Sequence, residues 1–210
     1  MLTLYIVRHG ETEWNKEGRI QGRLNSQLTD KGRQYARLLG ERLKEVDFIE
    51  IISSPSSRTL ETAKLICADR NLSIVTDEAI MEMDMGKWQG KTKKEIYEHS
   101  LEMYRTFMDH PEIYQQDGAE TFADMKKRAS EFLQKLQNRY LPGNLLIVTH
   151  GLFIKTLFLI AKEIEIKDFW SEPTVDGTSL SIVTIEQGKI KLVLEGDMGH
   201  VQEQSVRKSN

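Results

Sequence analysis

The chain has 210 residues, 39% of them hydrophobic and 29% charged, with a net charge of −3, which is the composition of one ordinary globular domain and excludes wholesale disorder or a fibre. The slight acidic excess also argues against a polyanionic partner such as nucleic acid, whose binding rests on a basic face that releases counterions. Cys67 is the sole cysteine, so no disulfide can form within the chain and none is needed in a reducing compartment.

The apolar stretch Met1 to Val7 is too short for a signal-peptide core and carries no basic leader. No later run approaches the ~20 apolar residues that span a bilayer. The expectation is a cytoplasmic protein with no membrane contact.

Leu2 to Val7 is rich in β-formers and stops at Gly10, which predicts a buried strand that delivers Arg8 and His9 at its carboxyl end. From Thr29 to Val46 the pattern changes to helical spacing, with Tyr35, Leu38, Leu39, Arg42 and Val46 on one stripe and Thr29 as the cap. Phe48 to Ile52 reads as a second strand, closed by Ser53-Ser54-Pro55, after which Ser57 is expected to cap a helix carrying Arg58, Leu60, Ala63 and Ile66. Arg58 then falls near a helix start, where backbone N–H groups favour anions. Cys67 lies on the apolar stripe of that helix and reads as a small core residue.

Residues 91 to 118 mix charge with scattered aromatics and break at Asp109-His110-Pro111 and Asp117-Gly118. Phe122, Met125, Ala129, Phe132, Leu133 and Leu136 predict a long helix that ends near Leu141-Pro142-Gly143. Leu145 to Val148 is again a run of β-formers, leading into Thr149-His150-Gly151 and a helical stretch from Ile154 to Ile160, so His150 repeats the placement of His9. Leu180 to Ile185 and Lys189 to Leu194 form two strand candidates joined by a Gln187-Gly188 hairpin turn, and Val201 to Asn210 read as a loose polar tail. Strands alternating with helices, without repeats or a linker, point to a single α/β layer fold.

Arg8-His9-Gly10-Glu11-Thr12-Glu13-Trp14-Asn15 resembles the RHGxTxWN signature of the histidine phosphatase superfamily, which includes cofactor-dependent phosphoglycerate mutase. The resemblance continues through Arg19 to Gly22, Leu28 to Gly32, Ser53 to Ala63, Glu82 with Gly86 to Gly90, and Val148 to Gly151, and spans roughly residues 2 to 185. It implies a three-layer α/β/α sandwich with a mostly parallel central sheet in one domain over residues 1–210, with about 91–118 as a lid or cap. The chemistry it implies is hydrolysis of small phosphorylated metabolites, with no cofactor and no metal.

Phosphoryl transfer needs a nucleophile, cations around the equatorial oxygens and a proton source for the leaving oxygen. His9 fills the first role if its second ring nitrogen is held as a donor, commonly to a backbone carbonyl. Arg8 and Arg58 offer planar forks for the phosphoryl oxygens, and His150 is expected to donate to one of those oxygens. Asn15, Gln21 and Gly151 complete the substrate-binding rim. Glu82 matches the family's proton donor, and apolar Met81 and Met83 beside it would favour the protonated form by desolvation. Glu11 and Glu13 also stand near the nucleophile in sequence. Asp84, two residues after Glu82, reads as a solvated or capping residue.

A metal reading of His9, His150, Glu82 and Asp84 fails on spacing, and two arginines in the same site would repel a cation. The chain departs from the family in two places. Asn25-Ser26-Gln27 stands where many relatives carry an Asp and a Pro, and Pro173 to Ser179 stands where many carry an Asn after a Pro. Two alternatives to a phosphatase remain: a cofactor-dependent phosphoglycerate mutase, and a phospho-ligand-binding protein without turnover. The mutases carry adjacent arginines after the acid, whereas residues 91–118 offer only scattered Lys91, Lys93, Lys94 and Arg105. Tyr97, Leu101, Met103, Tyr104, Phe107, Met108 and Tyr114 are instead expected to line a lid over a less charged substrate, and Trp14 and Trp88 to form packing walls near the cleft. No coiled-coil heptad is present, and a homo-oligomer stays open.

Overall fold

A computed structural model describes residues 1–68 and 70–201. The expected loose tail lies, beyond Val201, outside the described residues. The strands are β1 (Leu2–Arg8), β2 (Phe48–Ser53), β3 (Ile74–Thr76), β4 (Gly143–Thr149), β5 (Leu180–Glu186) and β6 (Lys189–Asp197). They form one six-stranded sheet in the order β3-β2-β4-β1-β5-β6. The first four of that order are mutually parallel, β5 runs antiparallel to β1, and β6 runs antiparallel to β5. The helices are α1 (Glu13–Lys16), α2 (Asp30–Arg42), α3 (Ser57–Ile66), α4 (Lys93–His99), α5 (Leu101–Asp109), α6 (Phe122–Arg139) and α7 (Gly151–Ala161).

The alternation of side chains along a strand divides the core in two. On β4, Leu145 and Ile147 face one helical layer with Leu4 and Ile6 of β1, Phe132 of α6, and Phe153 and Leu157 of α7. Leu146 and Val148 face the other layer, with Val7 of β1, Ala36 and Leu39 of α2, and Ala63 and Ile66 of α3. Both faces of the parallel strands are covered, which is why β1 and β4 read as continuous apolar runs rather than alternating ones. Each fully buried Leu, Ile or Phe contributes about 1.5–3 kcal/mol through that burial, and the two clusters together make the three-layer α/β/α sandwich that the resemblance implied.

Thr29 caps α2 as expected, accepting from the Gly32 N–H at 3.0 Å, but the helix ends at Arg42, short of Val46. The cap of α3 is Ser56, not Ser57, and its side chain makes no cap hydrogen bond; Ser56 Oγ instead pairs with Thr59 Oγ1 at 2.7 Å. Two short elements, α1 and β3, carry no periodic signal in the sequence because four and three residues are too few to show one. Cys67 is buried at the end of α3, and burial pushes its thiol up to about 11. The Gln187-Gly188 turn joins β5 and β6 with positive φ at both residues, the geometry that a two-residue hairpin prefers.

The expectation for residues 91–118 needs correction. The break at His110 is real and separates α5 from a 3-10 turn over Pro111–Ile113. Phe107 and Tyr114, however, line no lid: both are buried and stack with Trp88, at centroid distances of 5.5 and 5.7 Å, in a cluster that also takes in Phe122 and Trp170. Aromatic area is the largest apolar contribution a side chain can offer, and here it fixes α5, through Phe107, to the body. Trp88 is part of that core rather than a cleft wall, while Trp14 stays half-buried. Among the described residues no helix is long and apolar enough to cross a membrane.

Candidate active site

Strands β1 and β4 are neighbours in register, with Arg8 opposite Thr149. The next residue on each strand is a histidine, so sheet pairing alone brings His9 and His150 together, and their ring centroids lie 5.4 Å apart. The His9 N–H donates to Thr149 O at 2.9 Å, and the Ser54 N–H, at the tip of β2, donates to Val148 O at 2.9 Å. Three adjacent parallel strands thus present His9, His150 and Ser54 at their carboxyl ends, where ligands of open α/β sheets bind.

His9 is almost fully buried, and its Nδ1 lies 2.8 Å from Gly10 O. A carbonyl oxygen can only accept, so Nδ1 carries the proton and Nε2 keeps the lone pair. Burial first, then the charges of Arg58 and Arg8, hold the imidazolium well below its ordinary value of 6.5. His9 is therefore a neutral imidazole with one tautomer imposed, which is what a nitrogen nucleophile requires.

Arg58, in the first turn of α3, is 1% exposed. Its Nη1 donates to Leu24 O at 2.5 Å and Asn25 Oδ1 at 3.1 Å, and its Nη2 donates to Gly22 O at 2.7 Å and His150 Nδ1 at 3.0 Å. Burial, opposed by Glu82 and reinforced by Arg8, pushes this guanidinium down to about 10, which leaves it charged at neutral pH. Arg8 donates from Nη1 to Val175 O at 2.5 Å. The Nε atoms of both arginines are buried without a partner, and a buried charged donor left unpaired is costly. Both Nη groups of Arg58 are thus committed to protein acceptors, whereas Arg8 has only Nη1 bound, so the donors left for an anion are the Nε–H of each arginine and the Nη2 of Arg8.

His150 also differs in detail from expectation. Arg58 can only donate, so Nδ1 of His150 accepts and Nε2–H points to Ser54 Oγ at 2.8 Å. Burial, with Arg58 and His9 adding to it, holds its imidazolium well below 6.5. Both ring nitrogens are occupied, and donation to a phosphoryl oxygen requires Nε2–H to turn from Ser54. Ser54 lies within the matched motif, but no role could be read for it from sequence because the contact depends on β2 and β4 being neighbours.

Asn15 completes the capping box of α1 with the cap residue Thr12: its Oδ1 accepts from the Thr12 N–H and Thr12 Oγ1, both at 3.0 Å, which leaves its amide NH2 as the donor. With Arg8, Lys31 and Asp176 it borders a cavity of about 440 Å³ beside the cradle. Gln21 is buried, with Oε1 unpartnered. Gly151 starts α7 beside Arg8, and a Cβ there would meet Arg8 Nε at 3.4 Å, an ordinary van der Waals contact. Glu11 is tied to Thr29 Oγ1 at 2.9 Å and Lys31 Nζ at 3.1 Å, and Glu13 pairs with Lys16 on the surface, so neither is a rival proton donor.

Glu82 is half-buried between the 3-10 turn Glu78–Ile80 and a second turn over Gly86–Trp88. Its carboxylate accepts from the N–H groups of Met83 at 3.0 Å, Leu152 at 3.2 Å and Phe153 at 3.3 Å. The surroundings expected from Met81 and Met83 are therefore not what the carboxyl meets. Met83 turns into the core, while Glu82 occupies the N-terminus of α7, whose own cap residue, His150, makes no side-chain cap bond. Asp84 behaves as a capping residue, accepting from the Gly86 N–H at 2.9 Å.

The profile of the Histidine phosphatase superfamily (branch 1) matches residues 4–198. Phosphoserine phosphatase 1 of Hydrogenobacter thermophilus is 31% identical over 187 residues, 89% of this chain and 88% of that protein. A solved structure of Bacillus stearothermophilus YhfR superposes with a TM-score of 0.93 at 40% identity, covering 96% of this chain and 100% of the other. A phosphoserine phosphatase mutant from Entamoeba histolytica, solved in complex with phosphoserine, superposes with a TM-score of 0.82 at 29% identity over 96% of this chain and 100% of the other. The chain belongs to the histidine phosphatase superfamily.

Proposed function

We propose that this member of the histidine phosphatase superfamily hydrolyses small phosphate monoesters in two steps through a phosphohistidine on His9. Phosphoric monoester hydrolysis is the chemistry of the family. The observation that carries the assignment of the nucleophile is the tautomer of His9, whose Nδ1–H is bound by Gly10 O so that the free lone pair is on Nε2.

In the first step Nε2 attacks phosphorus, the P–O ester bond breaks, and the protonated carboxyl of Glu82 gives its proton to the departing alkoxide. In the second, water attacks the phosphorus of the phosphohistidine, Glu82 as carboxylate takes the water proton, and the P–N bond breaks with its electron pair returning to Nε2, so that inorganic phosphate leaves with His9 restored. Arg8 and Arg58 stabilise the charge on the phosphoryl oxygens with donors already in place. Asn15 and Gln21 add neutral donors, and Gly151 lies beside the Arg8 guanidinium at the start of α7. Residues 91–118 serve as a cap packed on the body rather than as a hinged flap, in keeping with the burial of Phe107 and Tyr114. The substrates are small phosphorylated metabolites, with phosphoserine, the ligand of one similar structure, among those to try first.

The test is alkaline-quench trapping with a phosphorus-labelled ester. An acid-labile, base-stable label on a peptide that contains His9 is expected, and its loss in His9→Ala. Label that never appears, alongside normal turnover, would refute the mechanism. Incubation with 3-phosphoglycerate and its bisphosphate primer separates hydrolase from mutase, with free phosphate as the expected main product.

A further inference from the structure

Glu82 sits on irregular chain, yet its position is fixed from both sides by a pair of residues that contact neither the nucleophile nor the arginine cradle. Arg128, on α6, donates from Nη1 to Ala79 O at 2.9 Å and to Met81 O at 2.7 Å. Its Nε and Nη2 grip Glu120 side-on, at 2.6 and 2.9 Å. Glu120 in turn holds the far shoulder of Glu82: its Oε2 accepts from the Asp84 N–H at 3.3 Å, and its own N–H donates to Asp84 O at 2.9 Å. The carbonyl between the two Arg128 acceptors, Ile80 O, takes the Thr149 hydroxyl at 2.6 Å, which ties the same turn to β4. Finally, the Arg128 guanidinium lies over the Phe153 ring, 5.2 Å from its centroid, and the Phe153 N–H is one of the three groups that bind the Glu82 carboxylate.

The pair is largely buried, at 17% and 10% side-chain exposure. A buried ion pair is weak evidence of stabilisation, since desolvation offsets much of its attraction and apolar residues of the same size often do as well. Its geometry is more specific than its energy: a bidentate fork fixes direction as well as distance.

We infer that the Arg128–Glu120 pair is a positioning device for the proton donor, holding Met81 and Asp84 so that the Glu82 carboxyl between them meets the leaving oxygen. The inference rests on the role given to Glu82 above. Arg128 and Glu120 are positioning residues, because neither touches substrate. The sequence gives no hint of the pairing: residues 120 and 128 are eight apart, and their targets lie some 40 positions upstream.

The test compares kcat/KM for an alkyl phosphate, β-glycerophosphate, with that for an activated aryl ester, p-nitrophenyl phosphate. Their ratio does not depend on the fraction of active protein, so partial unfolding of a variant cannot mimic the effect. Arg128→Lys keeps the charge and loses the fork, while the double variant Arg128→Met with Glu120→Leu removes both charges without leaving one unpaired. Both are expected to lose roughly 10–100-fold on the alkyl ester, the cost of misplacing a catalytic group by about an ångström, and no more than a few-fold on the aryl ester. Neither change should cost anything further in a Glu82→Gln background. Equal losses on the two esters, or an undiminished loss when Glu82→Gln is already present, would overturn the inference and leave Glu82 in its role. If Glu82→Gln itself slows both esters equally, the donor assignment falls and the positioning role falls with it.

Discussion

His9 and His150 stand at the ends of adjacent parallel strands, and their separation follows from the register of β1 on β4. Glu82 stands on a stretch of turns, held by backbone N–H groups of α7 and by side chains from α6 and the strand preceding α7. The nucleophile side is thus positioned by a hydrogen-bonded ladder that cannot shift one residue without turning every core side chain to the wrong face. The donor side is positioned by individual side-chain contacts, each of which can be removed alone. Damage to the first should abolish phosphoryl transfer for any ester, and damage to the second should depend on how much help the leaving group needs.

The largest effect tests the first half of that contrast. His9→Ala removes the nucleophile and is expected to cost roughly 10⁴–10⁶-fold in kcat, as loss of a nucleophile does in enzymes whose groups act together, with aryl and alkyl esters suffering alike. Steady-state phosphate release on both esters checks it, and retention of hydrolysis would mean another group accepts the phosphoryl.

Arg58→Ala comes next. Its guanidinium is proposed to bind the phosphoryl oxygens and also ties the loop at Gly22, Leu24 and Asn25, so the loss should be about 10²–10³-fold in kcat, typical of one preorganised donor, again with no dependence on the leaving group. Arg58→Lys should recover little of it, because a point charge cannot satisfy that many acceptors at once. A strong leaving-group dependence in Arg58→Ala would blur the proposed division between the two halves.

The acid limb of the pH profile sharpens the comparison on the nucleophile side. Burial and two arginines lower His9 below 6.5, so the neutral, attacking form persists as pH falls past the point where an ordinary imidazole would be protonated. The kcat/KM profile should therefore show no loss with an apparent pKa near 6.5 on its acid side. The same lowering in His9 and His150 has a stability consequence of definite sign. The unfolded chain binds protons below about 6.5 that the folded one refuses, so folding stability contributed by these groups is present above that pH and declines as pH falls towards the depressed values. Thermal melts from pH 7.5 to 5 should show falling midpoints. Midpoints that rise over that range would contradict it.

The smallest effect expected is at Gly151→Ala, where the new methyl would sit 3.4 Å from Arg8 Nε. That is ordinary van der Waals contact, so kcat/KM should stay within about two-fold of the parent, ~0.4 kcal/mol. A loss of ten-fold or more would show that the Arg8 guanidinium has no room for the methyl.

Much of the nucleophile side was legible in the chain itself. Leu2 to Val7 and Leu145 to Val148 are runs of β-formers that point to buried strands, and each leads to a histidine followed by a glycine, so the sequence shows His150 repeating the placement of His9. Glu82 could be marked only by its resemblance to a family position. The surroundings expected for it from Met81 and Met83 were wrong, because neighbours in sequence are not neighbours in space on irregular chain. The same reason accounts for Phe107 and Tyr114, expected on a lid and found in the core with Trp88.

The sequence by itself determined the order of β1, α2, β2, α3, α6, β4, α7, β5 and β6 and the motif residues that carry the family resemblance, since periodicity and local chemistry are properties of contiguous residues. Only the tertiary structure decided which nitrogen of each histidine carries a proton, which carbonyls occupy the arginine forks, and that Arg128 and Glu120 bracket Glu82. Those facts rest on contacts between segments far apart in the chain, whose distances are fixed by how the layers pack and not by any local pattern.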